Sequence, residues 1–357
     1  MAAMSAVGVK SGQLGRPPSR GVWGQLRGLL RSRWVQVTIV VWIVANIAWS
    51  VLGLGGFPFL FPNTPTTVSY WLINHLLGLA LPLALIAITI ALTRHNAFPT
   101  AKFLSRSPDR ARAAVETTGM VAYAVLAQVG GWAAGAIIGI HSLSLHLPGT
   151  LLGLPHGEVV TPREVYIWST YNFVMYAVIP YAYFRFMRYS NNQLSLRSSN
   201  HRRDITVIAV ILAIESAAEL AFKHTIFSLS PTQLLEGVPL SFVVHLFGTV
   251  LPCMTFIYAI LLPRYLRLTG SIPATVILGG VSYMAIHAFD PWAVWATPSA
   301  AGLSVLFLFF QYFAPGMVKS VLTLRTGNAW VHAIAYHAIA PHVTLDTPNI
   351  VRIFGIR

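Results

Sequence analysis

Nine apolar runs of spanning or near-spanning length punctuate this chain, near residues 34–54, 70–93, 118–140, 166–187, 205–222, 239–262, 272–289, 298–318 and 329–344. A bilayer-crossing helix needs about 20 apolar residues, with a range of roughly 17–25. No water is available inside hydrocarbon to satisfy backbone N–H and C=O groups, so runs of this length must be helical. The expected fold class is all-α, a polytopic membrane bundle of about 8–9 transmembrane helices. The last run is short and holds Pro341, and is expected to stop inside the protein. Composition agrees: 55% of residues are hydrophobic and 10% charged, against about 25% charged in soluble domains.

The net charge of +14 does not point to nucleic acid, because no basic domain stands apart from the apolar runs. The basic residues fall in alternate connections: Arg94 to Arg112, Arg185 to Arg203, Arg264 with Arg267, and Lys319 with Arg325. The other connections, 55–69, 141–165, 223–238 and 290–297, carry almost none. The positive-inside rule places the first set and the N-terminus in the cytoplasm of an integral, multi-pass membrane protein, expected in the cell membrane. Residues 1–33 hold six basic residues and no acid and read as a disordered cytoplasmic segment, followed by an uncleaved first helix. The expected organisation is a four-helix part over 34–187, a basic loop over 188–204, core helices over 205–344 and a tail over 345–357. The single cysteine, Cys253, lies in an apolar run and reads as a packed thiol.

Ionisable side chains in hydrocarbon cost on the order of 2.5–3.5 kcal/mol and face the bundle interior when they occur. Within the runs these are His75, Glu215, Glu219, His245, His287, His332, His337 and His342. All but His75 lie in the last five runs, so the C-terminal half is expected to hold any site and the first four helices to serve packing. Glu215 and Glu219 are one helical turn apart and share a face; such a pair can activate water, bind metal or hold a proton. Alternatively it hydrogen-bonds between helices. His332, His337 and His342 recur every five residues. In an α-helix that step turns roughly 140° past one full turn, so the three imidazoles are not expected to share a face. His337 is then the member expected at a site.

From about residue 186 onward the chain resembles the CPBP family of CAAX prenyl proteases of the second type and bacteriocin-processing enzymes. The segments that carry the resemblance are "RYSNNQLSLRSSNHRRDI", "LLPRYLRLTGSIPATVILGGVSYMAIHAF" and "FLFFQYFAPGMVKSVLTLRTGNAWVHAIAYHA". In them Tyr283 stands for the Phe, and His287 for the His, of a Phe-x-x-x-His motif, and His337 for the His of a His-x-x-x-Asn motif. The resemblance implies an intramembrane metalloendopeptidase with His287 and His337 at its centre, cleaving a peptide or lipidated peptide near the membrane. The family's Glu-Glu pair, however, falls on Cys253 and Met254, its Arg on Tyr258 and its Asn on Pro341.

Depth along the helices, at ~1.5 Å per residue, sorts the remaining groups into two layers. Glu219, His245, His287 and His342 form the outer layer, a set able to make a tetrahedral Zn2+ site of three imidazoles and a carboxylate. Glu215 and His337 form the inner layer. Three functions stay open on these grounds. One is an endopeptidase in which Glu219 or Glu215 replaces the missing acid and His287, His337, His245 and His342 bind metal. The second is a non-catalytic scaffold of the same fold. The third is a proton-coupled transporter using Glu and His as a relay. In each case the bilayer is the principal partner.

Overall fold

A computed structural model describes residues 30–53, 67–149, 159–222 and 225–357. Residues 1–29, 54–66, 150–158 and 223–224, parts of the segments used above for topology, lie outside these residues. The described residues are helical and contain no strand. In chain order the elements are α1 (Arg33–Leu52), α2 (Val68–Leu92), a short α3 (Thr100–Arg106), α4 (Arg110–Ile138), α5 (162–186), α6 (His201–Phe222), α7 (Pro231–Thr269), α8 (Ile272–Ala285), α9 (Pro298–Thr326), α10 (329–345) and α11 (Thr347–Phe354).

Five of these, α1, α2, α4, α7 and α9, are long and apolar enough to cross a membrane. Burial divides them. Their apolar windows are 11%, 22% and 17% buried in α1, α2 and α4, but 67% and 56% in α7 and α9. The first three therefore turn apolar surface outward, where lipid is the only favourable solvent, and α7 and α9 form the centre. Local signals set the ends. Thr67, Asp109, Thr161, Ser271, Thr297 and Asn328 each cap a helix N-terminus with a side-chain oxygen. Ser230 with Gln233 forms a capping box on α7. Left-handed Gly139, Gly270 and Gly327 close α4, α7 and α9.

The interior helices are interrupted by π turns, and proline explains where. Besides Ala340–Leu345, the π segments are Phe173–Val178, Leu246–Val250, Met254–Leu261, Phe309–Phe313 and Ala333–Ala338. Pro180, Pro252, Pro263, Pro315 and Pro341 follow them in order. Proline has no N–H and clashes with the carbonyl four residues back. In all five cases that carbonyl, of Tyr176, Gly248, Ala259, Gln311 or His337, lies inside the π segment, where the widened turn accommodates the ring. A freed carbonyl still needs a donor in a dry interior. Gly248 O receives one from Asn172 Nδ2 at 2.9 Å.

Two expectations are corrected. The run ending near 318 continues as helix to Thr326, so Lys319 is not in a connection. It is 1% exposed, with its ammonium 3.5 Å from the Tyr283 ring centroid. Arg264 likewise lies inside α7 and is 1% exposed. Both positive charges looked like loop residues because they sat just past an apolar stretch. Their helices simply carry them on into the protein.

Candidate metal centre

The site begins with a stretch that is not a helix. After α4 the chain turns at Gly139 and runs back along the same helix. The reversal depends on two glycines: a Cβ at Gly131 would lie 2.6 Å from Leu143 O, and one at Gly135 2.5 Å from His141 O. Leu143 N–H bonds Gly131 O at 3.1 Å and Ile140 N–H bonds Gly135 O at 3.0 Å. Residues 143–149 are all buried, so their backbone needs partners from the protein. Ser144 O accepts from Trp168 Nε1 and Asn172 Nδ2, and Leu145 O from Thr249 Oγ1. His146 N–H donates to Asp290 Oδ1 at 3.1 Å. The stretch is thus held by α4, α5, α7 and the turn after α8, and it carries His146 into the interior.

There His146 meets His287 and Asp290. The two imidazoles stack with centroids 4.5 Å apart and planes 13° from parallel. Their Nδ1 atoms are 3.0 Å apart, and Asp290 Oδ2 lies 3.1 Å from His146 Nδ1 and 2.7 Å from His287 Nδ1. If both Nδ1 atoms were protonated, two N–H groups would point at each other, so the three atoms cannot be a simple pair of donors on one carboxylate. One protonated Nδ1 facing an unprotonated one satisfies the contacts, and a cation in place of that proton fits the same spacing. With nitrogen and oxygen ligands at about 2.0–2.2 Å, adjacent donors on an octahedral face lie roughly 3.0 Å apart, and tetrahedral donors roughly 3.4 Å apart. The observed edges match the octahedral face.

A second group of the same composition lies beside it: His245 from α7, His342 from α10 and Asp346 at the start of α11, all buried. His342 Nδ1 is 2.9 Å from Asp346 Oδ2, and His245 Nε2 is 3.5 Å from that oxygen. His245 Nδ1 is fixed 2.8 Å from Ser241 O, and Ser241 Oγ donates to His342 O at 2.6 Å. His245 and His342 stack at 4.7 Å, and His342 and His146 lie 5.6 Å apart, which joins the two groups. This second group is the looser of the two.

Each triad fits a metal ion on its own chemistry. His146, His245, His287, His332, His337 and His342 are 0–1% exposed. Each has one ring nitrogen in contact with a protein group, and the other is left without a hydrogen-bond partner. An unsatisfied buried polar atom costs about 1–3 kcal/mol, and native interiors hold few. In the first triad the atoms without a hydrogen-bond partner are the Nε2 nitrogens, whereas the atoms gathered on Asp290 are the Nδ1 nitrogens, so a cation there would leave each Nε2 free for a further contact.

The structure reports on every residue singled out from the sequence. It sets the rings of His287, His146, His342 and His245 in one row, and Glu219 is not among them. The five-residue step does not separate the α10 histidines. The stretches Ala333–Ala338 and Ala340–Leu345 are π-wound, with Thr344 N–H bonded to Ile339 O five residues back. An i→i+5 bond sets residue i+5 over residue i. Ring centroids are accordingly 6.5 Å apart for His332 and His337 and 5.3 Å for His337 and His342. His337 Nε2 is 3.2 Å from Tyr283 Oη. Glu215 is buried within electrostatic reach of Lys319, Glu219 and Tyr336, and Glu219 is partly exposed. Neither glutamate belongs to a metal-capable group among the described residues. His75 packs against Phe310 at 3.6 Å and bonds Asn46.

Sequence reasoning did not single out His146, Asp290 and Asp346 as candidate ligands, and looked for a site only in the C-terminal half. The signals were present as His-x-x-Asp at 287–290 and His-x-x-x-Asp at 342–346. No protein-family model matches the chain, and no curated protein or solved structure is significantly similar to it.

Proposed function

We propose that this protein is a membrane-embedded metalloenzyme that performs transition-metal chemistry on a lipid-soluble substrate. His146, His287 and Asp290 hold the principal ion, and His245, His342 and Asp346 hold a second one beside it. The observation that carries the reading is the 2.7–3.1 Å spacing of three donor atoms in the first triad. Two imidazoles and one carboxylate on an octahedral face, with further positions open, are the ligand set of non-haem Fe(II) oxygenases, whereas zinc prefers a tetrahedron. The reading is therefore oxidative chemistry on an apolar molecule reached from the bilayer. It takes the span count as about eight or nine, since 162–186, 201–222, 272–285 and 329–345 supply or support the ligands. It places the arginine-rich end in the cytoplasm.

A second reading, the membrane-proximal endopeptidase, is favoured by one contact. Tyr283 and His337, two positions of the CPBP resemblance, are 3.2 Å apart, and Tyr283 lies edge-on to His287 at 4.8 Å. Under that reading zinc is the ion, and a relocated carboxylate activates water.

Elemental analysis of the protein purified in lipid nanodiscs tests both. The expected result is iron bound near stoichiometry, lost in His146→Ala and in Asp290→Asn. Zinc with cleavage of a membrane-anchored peptide would transfer the site to the second reading. Absence of any transition metal, even after incubation with Fe(II) or Zn(II), in protein that melts cooperatively overturns both.

A further inference from the structure

A separate feature lies at the arginine-rich end, between α4 and α5. Two hollows adjoin there. One, of about 220 Å³, is polar and is lined by Ser107, Arg112, Arg188, Tyr189 and Gln193 among others. The other, of about 310 Å³, is mostly apolar and runs along Val115, Gly119 and Tyr123 of α4 and Ile179 and Tyr183 of α5. They meet at a fixed cluster. Glu116 accepts from Arg112 Nε at 2.8 Å, from Tyr189 Oη at 2.7 Å and from Arg264 Nε at 2.8 Å. The Arg112 guanidinium lies 5.0 Å from the Tyr189 ring.

Charge and shape are both directional. The polar hollow is lined by Arg112 and Arg188 against Asp109 alone, which leaves positive charge in excess, while Glu116 at the edge of the second hollow is paired with Arg112 and Arg264. Arg188 is the uncommitted member: it is exposed and has no ion pair among the described residues. It also sits at φ 64°, a left-handed conformation rare for a residue with a side chain. From Arg112 to Tyr123 the groove follows α4 for about 16 Å at 1.5 Å per residue. Its walls are exposed apolar side chains, with Val115 74% and Tyr183 50% exposed. A free anion would use only the polar hollow, and a neutral lipid would use only the groove. An anionic headgroup on an acyl chain uses both, and basic pockets between membrane helices bind such headgroups.

We propose that the cleft between α4 and α5 is a binding site for one anionic phospholipid, with its phosphate against Arg188 and Arg112 and one acyl chain along Gly119 and Tyr123. Gly119 provides a clean probe, because a Cβ built there meets nothing within 4 Å. A leucine would therefore enter the groove and not the protein core.

The test uses the full chain in phosphatidylcholine nanodiscs containing phosphatidylglycerol, followed by native mass spectrometry of the released protein. Wild type is expected to retain one phosphatidylglycerol per chain. Arg188→Ala should lower retention several-fold, and Gly119→Leu should abolish it with an unchanged melting temperature. Arg110→Gln, an exposed arginine outside the hollow, should retain lipid as wild type does. Equal retention in Arg188→Ala and Gly119→Leu, or retention of phosphatidylcholine as strong as that of phosphatidylglycerol, overturns the proposal. So does displacement by excess inorganic phosphate combined with undiminished retention in Gly119→Leu, which would identify a phosphate site without an acyl groove.

Discussion

Two buried polar regions of this molecule are built on opposite terms. At the arginine-rich end Arg203 and Asp204, 4% and 3% exposed, are fully engaged. Arg203 bonds Asp204 Oδ1 through Nε and Nη2, at 2.9 and 2.7 Å, and also reaches Asn96 O and Thr326 O. Asp204 Oδ2 accepts from Ser198 and from Asn328. Nearby, burial and then the hydrogen bond to Glu116 push the Tyr189 phenol up to about 12, so it stays a donor at neutral pH. In the histidine cluster, by contrast, each imidazole hydrogen-bonds or contacts the protein through one nitrogen and leaves the other without a hydrogen bond, His245 Nε2 lying 3.5 Å from Asp346. A saturated network ties the α2–α3 connection, α6 and the α9–α10 turn together and has nothing left to offer a ligand. A half-saturated one still has nitrogens to offer. The contrast separates architecture from chemistry at similar burial.

Breaking the saturated side should give the largest effect. Asp204→Ala strands a buried guanidinium, and removing one partner of such a pair costs about 3–5 kcal/mol. The measured melting temperature should fall steeply, with metal content per folded molecule unchanged. Replacing both Arg203 and Asp204 by leucine should be milder than the single change, since paired removal leaves no stranded charge. If Asp204→Ala were the milder variant, the saturated picture would be wrong.

The histidine side should separate stability from metal binding. His287→Ala empties a fully buried site stacked on Tyr312, and Asp290→Ala strands the His146 N–H, so each is expected to lower the stability of the metal-free protein by about 2–4 kcal/mol. Ion affinity at the first triad should also drop at least ~100-fold, at or beyond the upper end for loss of supporting groups around metal ligands. Titration of metal-stripped protein with Fe(II), monitored by melting, reads both quantities. A large loss of apo stability with no change in affinity would make these histidines packing groups.

Why the sequence revealed one region and not the other follows from the same physics. The spans were legible because dehydrated backbone demands long apolar helices. His245, His287 and His342 were legible because imidazoles in such helices are costly. His146 was not, because it sits in "HSLSLHLPG", a stretch with no spanning run, and only Gly131 and Gly135 on the preceding helix hint that it folds back. The α10 register was misread because α-helical geometry was assumed where Pro341 enforces a wider turn. The arginine network escaped notice because Arg203 looks like any basic loop residue until Asp204, Asn328 and Thr326 O are seen around it.

Gly135→Ala tests the fold-back directly. Its methyl group would meet His141 O at 2.5 Å, and overpacking of this kind costs about 1–3 kcal/mol. The displaced stretch should carry His146 away from Asp290, so the first ion is lost while the second, on His245, His342 and Asp346, is kept. Loss of both together would mean that the triads are a single site.

The smallest expected effect isolates the π winding. Pro341→Ala restores an N–H able to bond the carbonyl of His337, the i→i+4 partner that proline forbids. The stretch should tighten toward α geometry, in which a five-residue step turns roughly 140° beyond one revolution. His342 then swings relative to His337 and away from His245. Stability should change by no more than about 1 kcal/mol, because a better helix former offsets the disturbed packing. Affinity at the second triad should nonetheless fall roughly tenfold, as for other changes that misorient a metal ligand, with the first ion untouched. Metal titration of the variant measures this. Unchanged affinity at both triads would mean that α10 holds its shape through contacts with α6 and α7 and not through its proline. A fall at both would mean that the 5.6 Å contact between His146 and His342 couples the two ions into one centre.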